Sequence, residues 1–115
     1  MITAKLITAK LCKKIISLLP KTISAGSYAR DHDRRQLYRD LDLVSMLSAQ
    51  QIINILSLNY KIEVLKHGNK YIDLLLNDKY RINVWLCNKT NFYKIYLNHY
   101  LKKEHLITIH KKLQI

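Results

Sequence analysis

A chain of 115 residues in which 49% are apolar is long enough for one domain with a buried core. Twenty Lys and Arg against eight Asp and Glu give a formal charge of +12, which argues for a polyanionic partner, nucleic acid ahead of an anionic membrane surface. With two Gly, one Pro, two isolated cysteines (Cys12 and Cys87) and five scattered histidines, the composition excludes a linker-rich chain, a disulfide scaffold and a zinc-finger spacing, and a reducing, intracellular compartment is the default.

Ile2 to Leu19 reads as an amphipathic helix, with Ala4, Ile7, Leu11, Ile15 and Leu18 recurring at three- and four-residue steps. Lys5, Lys10, Lys13 and Lys14 interrupt it too often for a signal-peptide core or a membrane span. A basic amphipathic helix can lie on a membrane or pack on a core, and core packing is the expectation here. Pro20 ends the helix, and Lys21 to Ala25 reads as a short strand leading into Gly26-Ser27. Ser27 to Arg39 is polar and crowded with charge, a helical turn running into an exposed loop.

Leu41 to Met46 reads as a buried strand, preceded by Asp40 and carrying Asp42. Ser48 caps a helix reaching Leu58. Three strands follow, Lys61 to Leu65, Tyr71 to Leu76 and Tyr80 to Cys87, separated by the turn pairs Gly68-Asn69 and Asn77-Asp78. Asn91 to Lys103 has helical spacing, and Leu106 to His110 reads as a last short strand. The fold class expected is α+β, a mixed sheet with helices packed on one face, in a single domain spanning residues 1–115.

Two features carry chemistry when taken together: a strand ending in Gly26-Ser27 with Arg30 three residues on, and a strand bearing Asp40-Leu41-Asp42. Alternate residues on a strand share a face, so Asp40 and Asp42 project together, about 6–7 Å apart along the chain. Such a pair can hold hard divalent cations like Mg²⁺. Gly26 allows backbone to approach a phosphate, Ser27 and neighbouring N–H groups can bind its oxygens, and Arg30 adds a cationic fork.

The run Ser24-Ala25-Gly26-Ser27-Tyr28-Ala29-Arg30, followed by Asp40-Leu41-Asp42-Leu43, resembles the Gly-Ser…Asp-x-Asp signature of the nucleotidyltransferase superfamily. Downstream, Lys61 to Tyr71 and Tyr80-Arg81-Ile82-Asn83-Val84-Trp85-Leu86 are similar to the strand–glycine turn–strand and the Arg-Val/Ile-Asp strand of family X DNA polymerases. The resemblance covers roughly residues 2–87. It implies a polymerase-β-like palm in which Asp40, Asp42 and Asn83 are the catalytic positions and Asp40 and Asp42 the metal ligands. Gly26, Ser27 and Arg30 would bind the nucleotide, and Mg²⁺ or Mn²⁺ would be the cofactor. The activity implied is addition of a dNMP from a dNTP to a 3′ end in gapped or primer-template DNA, of the repair type.

Asn83 departs from the family, which has Asp there. It keeps one carbonyl oxygen but neither charge nor basicity, so catalysis should fall by orders of magnitude. Asp73, on the neighbouring strand, and Asp78, in the turn, are the carboxylates that could substitute, although neither matches the family's register. The stretch Asp31 to Arg39 is longer and more charged than the family's. Tyr96-Leu97-Asn98-His99-Tyr100 holds no Gly-Ser turn, so residues 88–115 read as a vestigial thumb.

Arg34, Arg35 and Arg39, with Arg81, Lys102 and Lys103, are the expected nucleic-acid contacts. The loop arginines read equally as a solvated loop. Tyr93, Tyr96 and Tyr100 could stack bases or form one packed helical face, and Trp85, two residues from Asn83, could stack in the groove or cover the sheet. Two further readings stand beside the polymerase. One is an inactive palm that binds nucleic acid or serves in assembly. The other is a small toxin–antitoxin-type nucleotidyltransferase acting on RNA or protein, which the meander before Asn83 fits less well.

Overall fold

The computed structural model describes residues 5–31 and 35–87. Its elements in chain order are β1 (Ile7–Thr8), α1 (Ala9–Leu18), β2 (Thr22–Ala25), α2 (Gly26–Asp31), β3 (Leu37–Tyr38), β4 (Asp40–Ser45), α3 (Ala49–Ser57), β5 (Ile62–His67), β6 (Tyr71–Leu76) and β7 (Tyr80–Leu86). The main sheet runs β2-β4-β7-β6-β5. Only the β4–β7 pair is parallel; the others are antiparallel. The sheet is therefore mixed and the domain α+β, as expected. Joining β4 to a parallel neighbour requires a long connection. Here α3 and the β5–β6 hairpin supply it.

The first helix is shorter than its sequence pattern. Residues 5–8 are not helical: Ile7 and Thr8 pair with Tyr38 and Leu37 in a two-stranded ribbon. Ala9 then donates its N–H to the Gln36 carbonyl at 2.9 Å. Thr8 starts α1 by accepting the Leu11 N–H on its hydroxyl at 3.1 Å. The buried stripe also turns relative to expectation. Cys12, Ile15 and Leu19 are buried with Ile7, while Leu11 and Leu18 lie at the margin. Extended backbone at Leu19, ahead of Pro20, closes the helix.

Ser48 caps α3 through a complete capping box with Gln51 and turns Ile52 and Leu56 inward. The buried residues of α1 and α3 meet Leu41, Leu43, Ile72, Leu74, Ile82 and Val84 in one core, so both helices cover the same face of the sheet. Each large side chain so buried contributes about 1.5–3 kcal/mol. At the β2–β4 edge a buried hydroxyl chain replaces apolar contact. The Leu47 N–H donates to Ser45 Oγ, Ser45 pairs with Thr22 at 2.7 Å, and the Thr22 hydroxyl donates to the Pro20 carbonyl. Every member is satisfied, which fixes β2 against β4.

The β6–β7 turn lies between the strand ends expected, Leu76 and Tyr80, and holds Lys79 besides the Asn77-Asp78 pair. Asn77 and Asp78 both take positive φ, 53° and 59°. Lys79 donates its N–H to the Leu76 carbonyl at 3.0 Å. Pairing resumes with Leu76 opposite Tyr80, so Lys79 is an additional loop residue. That one residue decides which side chains of β6 face those of β7.

Candidate active site

The face of the sheet away from α1 and α3 carries the chemistry. In the parallel pair Asp42 stands opposite Asn83 and Asp40 opposite Arg81. Across the antiparallel β6–β7 pair Asp73 stands opposite Asn83 and Tyr71 opposite Trp85. Cross-strand partners share a face. Asp42, Asn83 and Asp73 therefore form a row across three strands, with Asp40 one pleat along. A cavity of about 470 Å³ opens over this row, lined by Asp40, Asp42, Asp73, Asn83, Trp85 and Lys66 among others.

Asn83 holds the row together. Its Nδ2 donates to Asp40 Oδ2 at 3.1 Å and to Asp42 Oδ1 at 3.1 Å. Its Oδ1 is buried and has no hydrogen-bond partner among the described residues. The opposite amide orientation would set that oxygen against two carboxylates, which is favourable only with a cation between them. Burial raises the Asp42 pKa above its ordinary value; the Asn83 hydrogen bond lowers it, the nearby Asp40 and Asp73 carboxylates raise it further, and Arg30 lowers it.

Gly26 opens α2 at φ 61°, a conformation that L side chains rarely adopt. A Cβ at this position would run into the Asp42 carboxylate. Glycine thus brings the backbone of the β2–α2 junction directly against Asp42. Ser27 follows at once, and Arg30 lies in the last turn of α2, where its charge reaches Asp42.

The remaining expected residues divide. Arg81 lines the cavity, with a guanidinium nitrogen 3.9 Å from Asp73 Oδ2. Arg35 lies 3.7 Å from the Asp31 carboxylate and its guanidinium sits 5.0 Å over the Tyr38 ring, so it braces its own loop. Arg39 is exposed at the foot of β4. Arg34, Lys102, Lys103 and the tyrosines Tyr93, Tyr96 and Tyr100 lie outside the described residues, as does the stretch read as a thumb. Asp78 is bound to Lys61 at 3.0 Å in the turn and does not line the cavity.

Asp73, named from the sequence as a carboxylate that could substitute at Asn83, stands opposite Asn83 in the row. Lys66, opposite Asp73 on β5, and Tyr71 also line the cavity and were not singled out in the sequence. Burial pushes the Cys12 thiol up to about 12 and Cys87 to about 11, so neither is a thiolate nucleophile at neutral pH.

Two carboxylates that meet at the Asn83 amide are hard oxygen donors of the kind Mg²⁺ takes, and the Asn83 oxygen would join them with its amide turned, so the residues present could hold a divalent cation. Asp40 and Asp42 would hold it, with Asn83 as a neutral donor. Among the described residues no three of His, Cys, Asp and Glu converge as a metal-binding group. Among them, too, no helix is long and apolar enough to cross a membrane. No protein-family model matches the chain, and no curated protein is significantly similar to it.

Proposed function

We propose that the domain is a nucleotidyltransferase palm of the family X DNA polymerase kind, adding a dNMP to a DNA 3′ end at low rate because Asn83 stands in place of a carboxylate. The observation that carries this reading is the meeting of Gly26 and Asp42. A glycine at positive φ presents backbone to a carboxylate pair on the adjacent strand, and the third position of the pair's row lies on the parallel strand. Backbone able to grip phosphates beside a pair able to hold metal is what transfer of a nucleotidyl group from a triphosphate to a hydroxyl requires.

In this reading the 3′-hydroxyl oxygen attacks the α-phosphorus of the dNTP, its proton passing to water, as the bond to pyrophosphate breaks. Divalent metal, when bound, neutralises the triphosphate and activates the attacking hydroxyl. Asp40 and Asp42 supply the negative charge that holds the metal, Gly26 and Ser27 receive the phosphates, and Arg30 offsets their charge. Asn83 accepts no proton, so the family's third carboxylate has no equivalent in its own position.

A second reading has its own observation. The Asn83 amide, donating to both Asp40 and Asp42, offsets part of the pair's repulsion without metal. That arrangement favours a palm retained for binding DNA rather than for chemistry. Gapped DNA with dNTP and Mn²⁺ separates the two. Slow incorporation that Asp42→Ala abolishes supports the enzyme. Tight binding of the gapped DNA with no incorporation supports the binding module, and absence of both removes the polymerase reading.

A further inference from the structure

Trp85 and Tyr71 lie at the other end of the same cavity, and nothing in the transfer chemistry uses them. They face one another across β6 and β7, with ring centroids 6.2 Å apart and planes inclined by 55°. Trp85 is 49% exposed and Tyr71 37% exposed, so each ring leaves a broad surface open to the cavity. The tilt lets Tyr71 brace the edge of Trp85 while leaving a Trp85 face uncovered. Lys66, opposite Asp73 at the end of the acidic row, and Arg81, opposite Asp40 on the far side of Asn83, line the same cavity.

An open indole face in a cavity that Lys66 and Arg81 also line, in a chain of net charge +12, suits a ligand that offers a flat ring and phosphates together. Duplex DNA hides its ring faces in the base stack; an unpaired base does not. Two residues of strand, about 6.6 Å, separate Asn83 from Trp85, so one nucleotide spans the distance from the acidic row to the indole. We propose that Trp85, braced by Tyr71 in a cavity that Lys66 also lines, is a stacking platform for an unpaired base of a DNA strand entering the cavity. The inference rests on the nucleic-acid reading of the site but not on catalysis.

Trp85 is the chain's single tryptophan, so its emission reports on this position alone. The full chain is titrated, in chelator, with a short oligothymidylate, with an abasic strand of equal length, and with free dTTP. Tryptophan emission is followed for the wild type, and anisotropy of labelled strands for every protein. Stacking quenches the emission with oligothymidylate and leaves it unmoved with the abasic strand, which binds about tenfold more weakly or worse. Trp85→Ala weakens oligothymidylate binding about ten- to a hundredfold without changing its salt slope, while Trp85→Phe retains most of the affinity. Lys66→Ala lowers the salt slope by about one.

Equal binding of abasic and base-bearing strands, or unchanged binding by Trp85→Ala, overturns the platform. Quenching by dTTP as strong as by the strand overturns the assignment to a strand and gives the site to a free nucleotide. If gapped DNA is bound while these tests fail, the platform alone falls. If no DNA is bound, the nucleic-acid reading falls with it.

Discussion

Asn83 donates a hydrogen bond from Nδ2 to Asp42 Oδ1 at 3.1 Å across the parallel β4–β7 pair, whose register sets the two residues directly opposite. The contact places the positive end of an amide where two carboxylates need one. Replacing Asn83 by Asp removes that donor and adds a third negative charge. In the absence of metal, Asn83→Asp is expected to destabilise the fold by about 1–2 kcal/mol. Mg²⁺ at a hundredfold excess over its Kd returns about 2.7 kcal/mol. Thermal unfolding with and without Mg²⁺ checks both halves.

Asp42 gives a prediction in pH. Its folded pKa is raised above 3.8, chiefly by burial. A raised pKa means that the protonated form favours folding. The contribution is fully present below 3.8 and is lost as pH rises through the folded value. At neutral pH the charged Asp42 therefore works against the fold, although its partial exposure screens the effect. Asp42→Asn should stabilise the protein at pH 7 by about 1 kcal/mol, the usual gain when a functional group under strain is relieved. Urea unfolding at pH 7, and again below pH 3.8, reads this: the advantage of the variant shrinks at the acid end.

Gly26 tests the backbone side of the site. Gly26→Ala combines a positive φ with a methyl group driven into Asp42, and a loss of about 2–4 kcal/mol is expected. Combining it with Asp42→Gly should recover the steric part but not the φ part. A double-mutant cycle in urea measures that coupling.

The hydroxyl chain through Ser45 predicts a cost without any functional loss of charge. Ser45→Ala leaves the Leu47 N–H without its acceptor and removes the partner of Thr22. The expected destabilisation is about 1–3 kcal/mol, read from denaturant midpoints.

Much of this was legible in the chain. The strand before Gly26-Ser27 was read one residue long, as Lys21 to Ala25 against the observed Thr22–Ala25, and α3 was visible from its cap Ser48. The carboxylates of β4 and the Asn83 position were visible as alternation along strands, where a period of two fixes which side chains share a face. The strand ends at Leu76 and Tyr80 were also legible, and the three residues between them set Asp73 opposite Asn83, where a two-residue turn would have set it opposite Ile82 on the other face. The start of α1 was hidden. Ile7 and Thr8 fit a helical stripe, and only their pairing with residues 37 and 38, distant in sequence, draws them into a strand.

The most direct test of the account is single-turnover incorporation of dNTP into one-nucleotide gapped DNA, with wild type, Asn83→Asp and Asp42→Ala compared in Mg²⁺. The account expects a slow wild type, a gain of about 10²–10⁴-fold in Asn83→Asp, and no product from Asp42→Ala. Asn83→Asp no faster than wild type, with its fold and Mg²⁺ binding intact, would contradict the claim that this row is a nucleotidyltransferase site lacking one carboxylate.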